Sequence, residues 1–314
     1  MQTIQLADLT LSRFMLGTCQ FGYDYGLANT CGQHSYEKAR DLIASAYEGG
    51  VNCLDTAPTY GNSEEVLGKV LQELKLSEKM TVVSKVQMLP KDLPEEKAEE
   101  WIENSVTKSL KLLQLDYLPI CIFHYEMDFR HIDILLKLRD RGLVHHVGGS
   151  LYDVKIGKEM LNSGLAEAVQ PQTHMLDQSF IRGGFFSEAK AKGVATFIRS
   201  VYFQGLLLMP EEKVPEYLAP VIPVRRQLQA LAAQAGISMV EFALRYVLSI
   251  DGVSCLLLGI DNEEQLQQNI PLFDKGNLDV DLMKAVDAVV PELPDDILRP
   301  YNWPWNRVGK SRPE

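Results

Sequence analysis

Residues 51–86 read VNCLDTAPTYGNSEEVLGKVLQELKLSEKMTVVSKV, and the punctuation of this stretch decides the fold. An apolar run, 51–55, closes on Asp55. A turn containing Pro58 and Gly61 follows, then a helical stretch that Asn62 or Ser63 can cap and whose first turn carries Glu64 and Glu65, acids suited to a helix N-terminus. A second apolar run, 80–86, brings Lys85 near its end. Near-continuous apolar runs joined by an amphipathic helix are the signature of parallel strands covered on both faces.

The same unit recurs along the chain. Further apolar runs lie at 14–17, 118–124, 143–149, 166–170, 194–200 and 253–259, making eight strands in all. Helical patterns fill the intervals at 35–48, 95–113, 129–141, 153–163, 185–192 and 262–269, with two more, 223–236 and 239–250, between the seventh and eighth strands. Ser35 suits an N-cap, and Gly49-Gly50 is a stop signal. Eight such units without a mid-chain linker predict an α/β fold, a closed (β/α)8 TIM barrel, in a single domain over residues 1–314. Residues 3–5 and 9–11, around Ala7-Asp8, predict an N-terminal β-hairpin over the barrel floor. A helix at 280–290 and an irregular C-terminal tail over the active-site mouth complete the expectation. No G-x-G-x-x-G follows any strand, which argues against a doubly wound dinucleotide-binding sheet.

The 314 residues are 46% hydrophobic and 23% charged, with a formal net charge of −11. An acidic surface repels phosphate backbones, so no nucleic-acid partner is expected. The five cysteines have no metal-like spacing, which suits reduced thiols. There is no signal-peptide pattern and no apolar run long enough for a bilayer, so the expectation is a cytoplasmic protein without a membrane partner. Oligomeric state leaves no mark in the sequence.

Barrel active sites gather at the C-terminal ends of the strands. The second, third and fourth runs carry Asp55, Lys85 and His124 there, and Tyr60 lies in the loop just beyond Asp55. Each alone is an ordinary loop cap, salt-bridge partner or packed aromatic. Together they form a proton-transfer group: a phenol whose pKa an ammonium lowers, a carboxylate holding that ammonium, and an imidazole to hydrogen-bond a substrate oxygen as charge develops. Such a group suits carbonyl reduction.

The segment Gly49-Gly50-Val51-Asn52-Cys53-Leu54-Asp55-Thr56-Ala57-Pro58-Thr59-Tyr60-Gly61-Asn62-Ser63-Glu64, with Val66-Leu67-Gly68, resembles the signature of the aldo-keto reductase superfamily. Ser84-Lys85-Val86 is similar to its lysine strand, and Leu115-Asp116-Tyr117 with the run ending at His124 resembles its histidine motif. The resemblance runs from about Phe14 to Asn269. It implies catalytic roles for Asp55, Tyr60, Lys85 and His124, and an extended NAD(P)H across the barrel mouth with no metal. Cofactor contacts carry over to Gly17, Thr18, Asp55, Ser150 and Gln170 on the early strands. On the later ones they carry over to Ser200, Gln204, Gly205, Gly259, Gln265 and Asn269.

This chain departs from the family pattern in three places. Leu151 stands where the family has Asn. Arg199 replaces the aromatic that stacks on nicotinamide; a guanidinium can stack on a ring, reach an anionic group of the substrate, or simply make a surface salt bridge. The 259–264 loop, GIDNEE, lacks the basic residue that clamps a 2′-phosphate, and Asp261 suits ribose hydroxyls instead, so NAD(H) is favoured over NADP(H). The competing reading is that these acids only complement a helix N-terminus.

A substrate pocket is expected from Gln20, Phe21, Tyr23, Tyr25, Tyr125, Tyr202, Tyr301, Trp303 and Trp305, a set suited to a small-molecule sugar or related hydroxylated carbonyl compound. The tail aromatics suit packing on the barrel wall equally well. His145-His146 opens the fifth strand on the opposite face without further ligands, which argues against a metal. His174 lies on the active face, within reach of cofactor or substrate. Two alternatives stay open: an NAD-dependent sugar dehydrogenase working oxidatively, and a non-catalytic nicotinamide-sensing binding subunit.

Overall fold

The computed structural model of the protein describes residues 1–304. Eight parallel strands close a barrel: β3 (Phe14–Gly17), β4 (Cys53–Asp55), β5 (Thr81–Val86), β6 (Leu118–Phe123), β7 (Val144–Leu151), β8 (Ala168–Pro171), β9 (Ala195–Ile198) and β10 (Cys255–Gly259), with β10 returning to pair with β3. Two preceding strands, β1 (Thr3–Leu6) and β2 (Leu9–Ser12), form an antiparallel hairpin, and Ala7 in its turn takes a φ of 50°.

Side chains alternate along a strand, so every second residue faces the barrel interior. Met15, Cys53, Val83, Ile120, Ile122, Ala168, Phe197 and Cys255 fill that interior, and Leu6 and Leu11 of the hairpin join them and plug the floor. The opposite faces carry Phe14, Leu16, Leu54, Val82, Cys121, Val169 and Ile198 into a second, larger core shared with the surrounding helices.

The helices follow their caps. Ser35 accepts a hydrogen bond from the Lys38 amide at the head of the helix Tyr36–Glu48, and Asp153 caps Val154–Ser163 in the same way. Asn62 occupies the N-cap of Ser63–Glu73 without a side-chain capping bond, its Oδ1 accepting instead from Gln33 Nε2 at 2.8 Å. Glu64 and Glu65 stand in the first turn of that helix, as expected. Glu64 is buried there, accepts from Ser84 Oγ at 2.6 Å, and burial holds its carboxyl above the usual range. The 95–113 region divides into a short 3-10 turn and the helix Ala98–Leu113, and β9 stops before Arg199. Between β9 and the helix Ile222–Gln234 the chain adds 3-10 turns that the hydrophobic pattern does not announce. No single described helix is long and apolar enough to cross a membrane.

Candidate active site

The interior-facing rows explain what gathers at the mouth. Cys53, Val83, Ile122, Ala168 and Phe197 point into the barrel, so Asp55, Lys85, His124, Gln170 and Arg199, each two residues further on, leave in the same direction. Asp55 lies opposite Val83 in register, which puts Lys85 one layer above it. Lys85 therefore reaches back over the carboxylate. Its Nζ donates to both Asp55 oxygens at 2.8 Å and to the Thr56 carbonyl at 2.9 Å, and Gln170 Nε2 donates to Asp55 Oδ1 at 2.7 Å. Asp55 and Lys85 are both about 1% exposed. Such a pair is costly to desolvate and tolerable only because every charge is met.

Tyr60 stands beside this pair. Lys85 Nζ lies 4.9 Å from the Tyr60 ring centre, and the ring meets His124 edge-on with centres 5.8 Å apart. Two glycines fix its backbone. A Cβ on Gly22 would fall 1.6 Å from the Tyr60 carbonyl oxygen, and one on Gly61, at φ +55°, would fall 2.2 Å from the Gly22 carbonyl oxygen. Only bare backbone permits that approach.

Burial first, and the Asp55 charge second, push the Tyr60 phenol well above its ordinary pKa. The neighbouring Lys85 does not bring it below that value. The ammonium is committed to Asp55, so the phenol meets a neutralised pair rather than a free cation. Tyr60 thus keeps its proton at neutral pH. His124 is held neutral, its pKa well below the usual value because of burial and then the Lys85 and Arg199 charges. Thr59 Oγ1 lies 3.0 Å from His124 Nδ1, so a hydroxyl donating there leaves Nε2–H as a donor.

A cavity of about 750 Å³ opens over this group, within the usual range for ligand sites. Gly17, Thr18, Asp55, Ser150, Gln170, Arg199, Ser200, Gln204, Gly205, Gly259 and Asp261 all line it, as do Gln20, Tyr23, Tyr25, Tyr202 and Tyr301. Thr18 is also a structural link, its hydroxyl donating to the Asp55 carbonyl at 2.9 Å. Gln265 and Asn269 stand behind the rim. Gln265 brackets Asp261, donating to its carboxylate at 3.0 Å and accepting from its amide at 2.9 Å, and Asn269 Oδ1 accepts from the Tyr202 hydroxyl. Gln20 donates to Asp261 from the opposite loop.

Other expected contacts lie elsewhere. Phe21 is in the core, Tyr125 points to solvent, and Trp303 is fully buried against Phe203 with its indole N–H on the Ile297 carbonyl. Trp305 is outside the described residues. His174 is buried and stacked on Phe203 at 4.0 Å, not on the cavity, and burial lowers its pKa to about 4. His145 stacks on Tyr117, while His146 sits between Asp8 and Glu167, each 2.9 Å away. Among the described residues no group of three or more His, Cys, Asp or Glu side chains could hold a metal ion.

The sequence reading overlooked Thr59, which orients His124. It also overlooked Gln172 and Tyr152, which hold Arg199: Gln172 Oε1 accepts from Nη1 at 3.0 Å, and the Tyr152 ring lies 4.3 Å beneath the guanidinium. The Leu151 carbonyl accepts from Nη2 at 3.1 Å. Thr59 was readable, since it adjoins Tyr60; the other two meet Arg199 only through strand order.

Residues 13–291 match the model of the Aldo/keto reductase family. The chain belongs to this family. Among curated relatives, it is 25% identical to the NADH-specific methylglyoxal reductase of Escherichia coli K12, over 87% of this chain and 93% of that one. It is 24% identical to the L-galactose dehydrogenase of Arabidopsis thaliana, over 92% and 95%. The holo form of aldo-keto reductase AKR11C1 from Bacillus halodurans shares the fold with a TM-score of 0.77 at 22% identity, over 93% of this chain and 97% of that one. Aldo-keto reductases are oxidoreductases that use nicotinamide cofactors on small carbonyl substrates.

Proposed function

We propose that this aldo-keto reductase reduces an aldehyde or ketone on a hydroxylated, sugar-like small molecule, with Tyr60 as general acid. The observation that carries the reading is the buried Lys85–Asp55 pair, closed at 2.8 Å on both carboxylate oxygens beside the Tyr60 ring. The residues present fit a nicotinamide dinucleotide. Gly17 and Gly259 are register partners at the ends of β3 and β10 and both line the cavity, leaving a strip of bare backbone along its wall. Gln204 and Gly205 stand on the facing side, and Ser200 and Gln204 both take positive φ, backbone strain of the kind that collects at ligand sites.

Bound there, the reduced nicotinamide supplies hydride to the carbonyl carbon. His124 Nε2–H orients and polarises the carbonyl oxygen. Tyr60 holds its proton until the oxygen becomes basic enough to take it. Lys85 then stabilises the phenolate left behind, and Asp55 with Gln170 keeps Lys85 in place. Asp261 accepts from two amides and carries no cation, which suits ribose hydroxyls and supports NADH over NADPH. The five free cysteines suit a reducing cytoplasm.

A panel of aldoses, ketoses and small aldehydes tested with each nicotinamide checks the reading. Tyr60→Phe is expected to lower kcat by about 10²–10⁴-fold with cofactor affinity retained. Unchanged turnover in that variant overturns the reading, and a preference for NADPH overturns the cofactor assignment. The L-galactose dehydrogenase relative favours one second reading, the same chemistry run oxidatively. Rates measured in both directions separate the two.

A further inference from the structure

Arg199 is the cation the catalytic cycle leaves unused. It continues the inward row of β9 beyond Phe197 and lines the cavity. Its planar head is pinned on three sides by the Tyr152 ring, the Gln172 amide oxygen and the Leu151 carbonyl. All three partners are neutral. No carboxylate among the described residues lies within ion-pair distance of it, whereas Arg299 nearby is matched by Asp177 at 2.8 Å. Nε, buried, donates to no protein atom, and Nη1 and Nη2 each keep a second N–H beyond the one already bonded. His124 and Tyr25 both feel its charge, so it stands near the catalytic end of the cavity. An uncompensated, pre-oriented guanidinium in a half-enclosed site is poor economy unless something anionic arrives.

Resting on the carbonyl-reductase reading above, we propose that the substrate carries an anionic group, a phosphate or a carboxylate, and that Arg199, held by Gln172 and Tyr152, binds it. The fork presented by the two Nη atoms matches the paired oxygens of either group.

The test compares matched substrates in wild type and Arg199→Gln. Glyceraldehyde 3-phosphate against glyceraldehyde gives the phosphate arm, and succinic semialdehyde against butyraldehyde the carboxylate arm. The readout is the ratio of kcat/KM, anionic over neutral. In wild type at least one ratio should exceed unity, and the variant should lower it by about 10–100-fold, the loss of one charged hydrogen-bonded contact. The arm that responds names the anion. Arg199→Lys, which keeps charge but not the fork, should fall between. If Arg199 instead serves the cofactor, both members of each pair fall together, and an unchanged ratio overturns the proposal.

Calorimetry with glycerol 3-phosphate, glycerate and glycerol on the cofactor-loaded protein decides the anion site without turnover. Binding of neither anion, or equal binding by wild type and Arg199→Gln, also overturns it. Absence of any turnover with detectable anion binding would instead sink the reductase reading and leave the anion site standing. Thermal melting of Arg199→Gln separates loss of the site from loss of the fold.

Discussion

At the mouth of the barrel, His124 follows β6 with only the Thr59 hydroxyl on its ring, and burial beside Lys85 and Arg199 keeps it neutral. At the floor, His146 near the start of β7 is buried but sits between the Asp8 and Glu167 carboxylates, chiefly Glu167, and its pKa is raised. One residue type on adjoining strands thus carries opposite charge preferences. The mouth concentrates positive charge and strips protons from its imidazole. The floor uses an imidazole between two carboxylates to pin the hairpin turn at Asp8 to the barrel wall.

The strongest way to break this contrast is at the mouth. Lys85→Met leaves Asp55 buried with only Gln170 and should cost about 3–5 kcal/mol of stability, measured by urea unfolding, besides abolishing turnover. A second change, Asp55→Leu in the same chain, should recover most of the stability and none of the activity. Equal stability of Lys85→Met and wild type would mean the pair is not buried as described.

A milder intervention is Thr59→Val, which removes the partner of His124 Nδ1 and should reduce kcat by roughly 3–10-fold, the worth of one neutral hydrogen bond. KM for cofactor should stay constant. A fall in cofactor affinity instead would show that Thr59 does not act through His124.

The smallest effect belongs to the pH profile. The raised pKa of His146 means its stabilisation is complete below the unfolded value of about 6.5 and is lost as pH rises through the higher folded value. His124 and His174, held below 6.5, act on the other side: as pH falls below about 6.5, unfolding takes up protons that the folded chain refuses, and stability declines. Melting temperature followed from about pH 5 to about pH 9 should therefore fall at both ends. His146→Gln should flatten only the alkaline limb, by about 2 °C. Flattening of the acid limb instead would reverse the assignment.

Much of the site was legible because of one repeating rule. A strand whose alternate residues enter the barrel must deliver the residue at the top of that row to the mouth, so Asp55, Lys85 and His124 were visible as polar residues at the ends of apolar runs, while Gln170 and Arg199 came only from the family resemblance. The rule also explains the misses. Phe21, in the short helix Cys19–Gly22, and Trp303, after the last 3-10 turn, belong to no such row, and whether such an aromatic faces a cavity or the core depends on what packs behind it. For Trp303 that is Phe203, a hundred residues away in sequence. Glu64 reads correctly as an acid of a helix start, but its burial against the Ser84 hydroxyl leaves no mark in local spacing.

By itself the sequence determined the eight-fold alternation, the hairpin, the order in which polar residues reach the mouth and the family signature around Asp55 and Tyr60, since these depend on periodicity and local spacing. Tertiary structure alone decided how charges are matched. Lys85 is held by Asp55 on both oxygens while burial keeps Tyr60 protonated, His146 is claimed by two carboxylates, and Arg199 has only neutral hydrogen-bond and stacking partners among the described residues. Electrostatic pairing depends on distances of a few ångströms between residues far apart in the chain, and that information resides in the closure of the barrel.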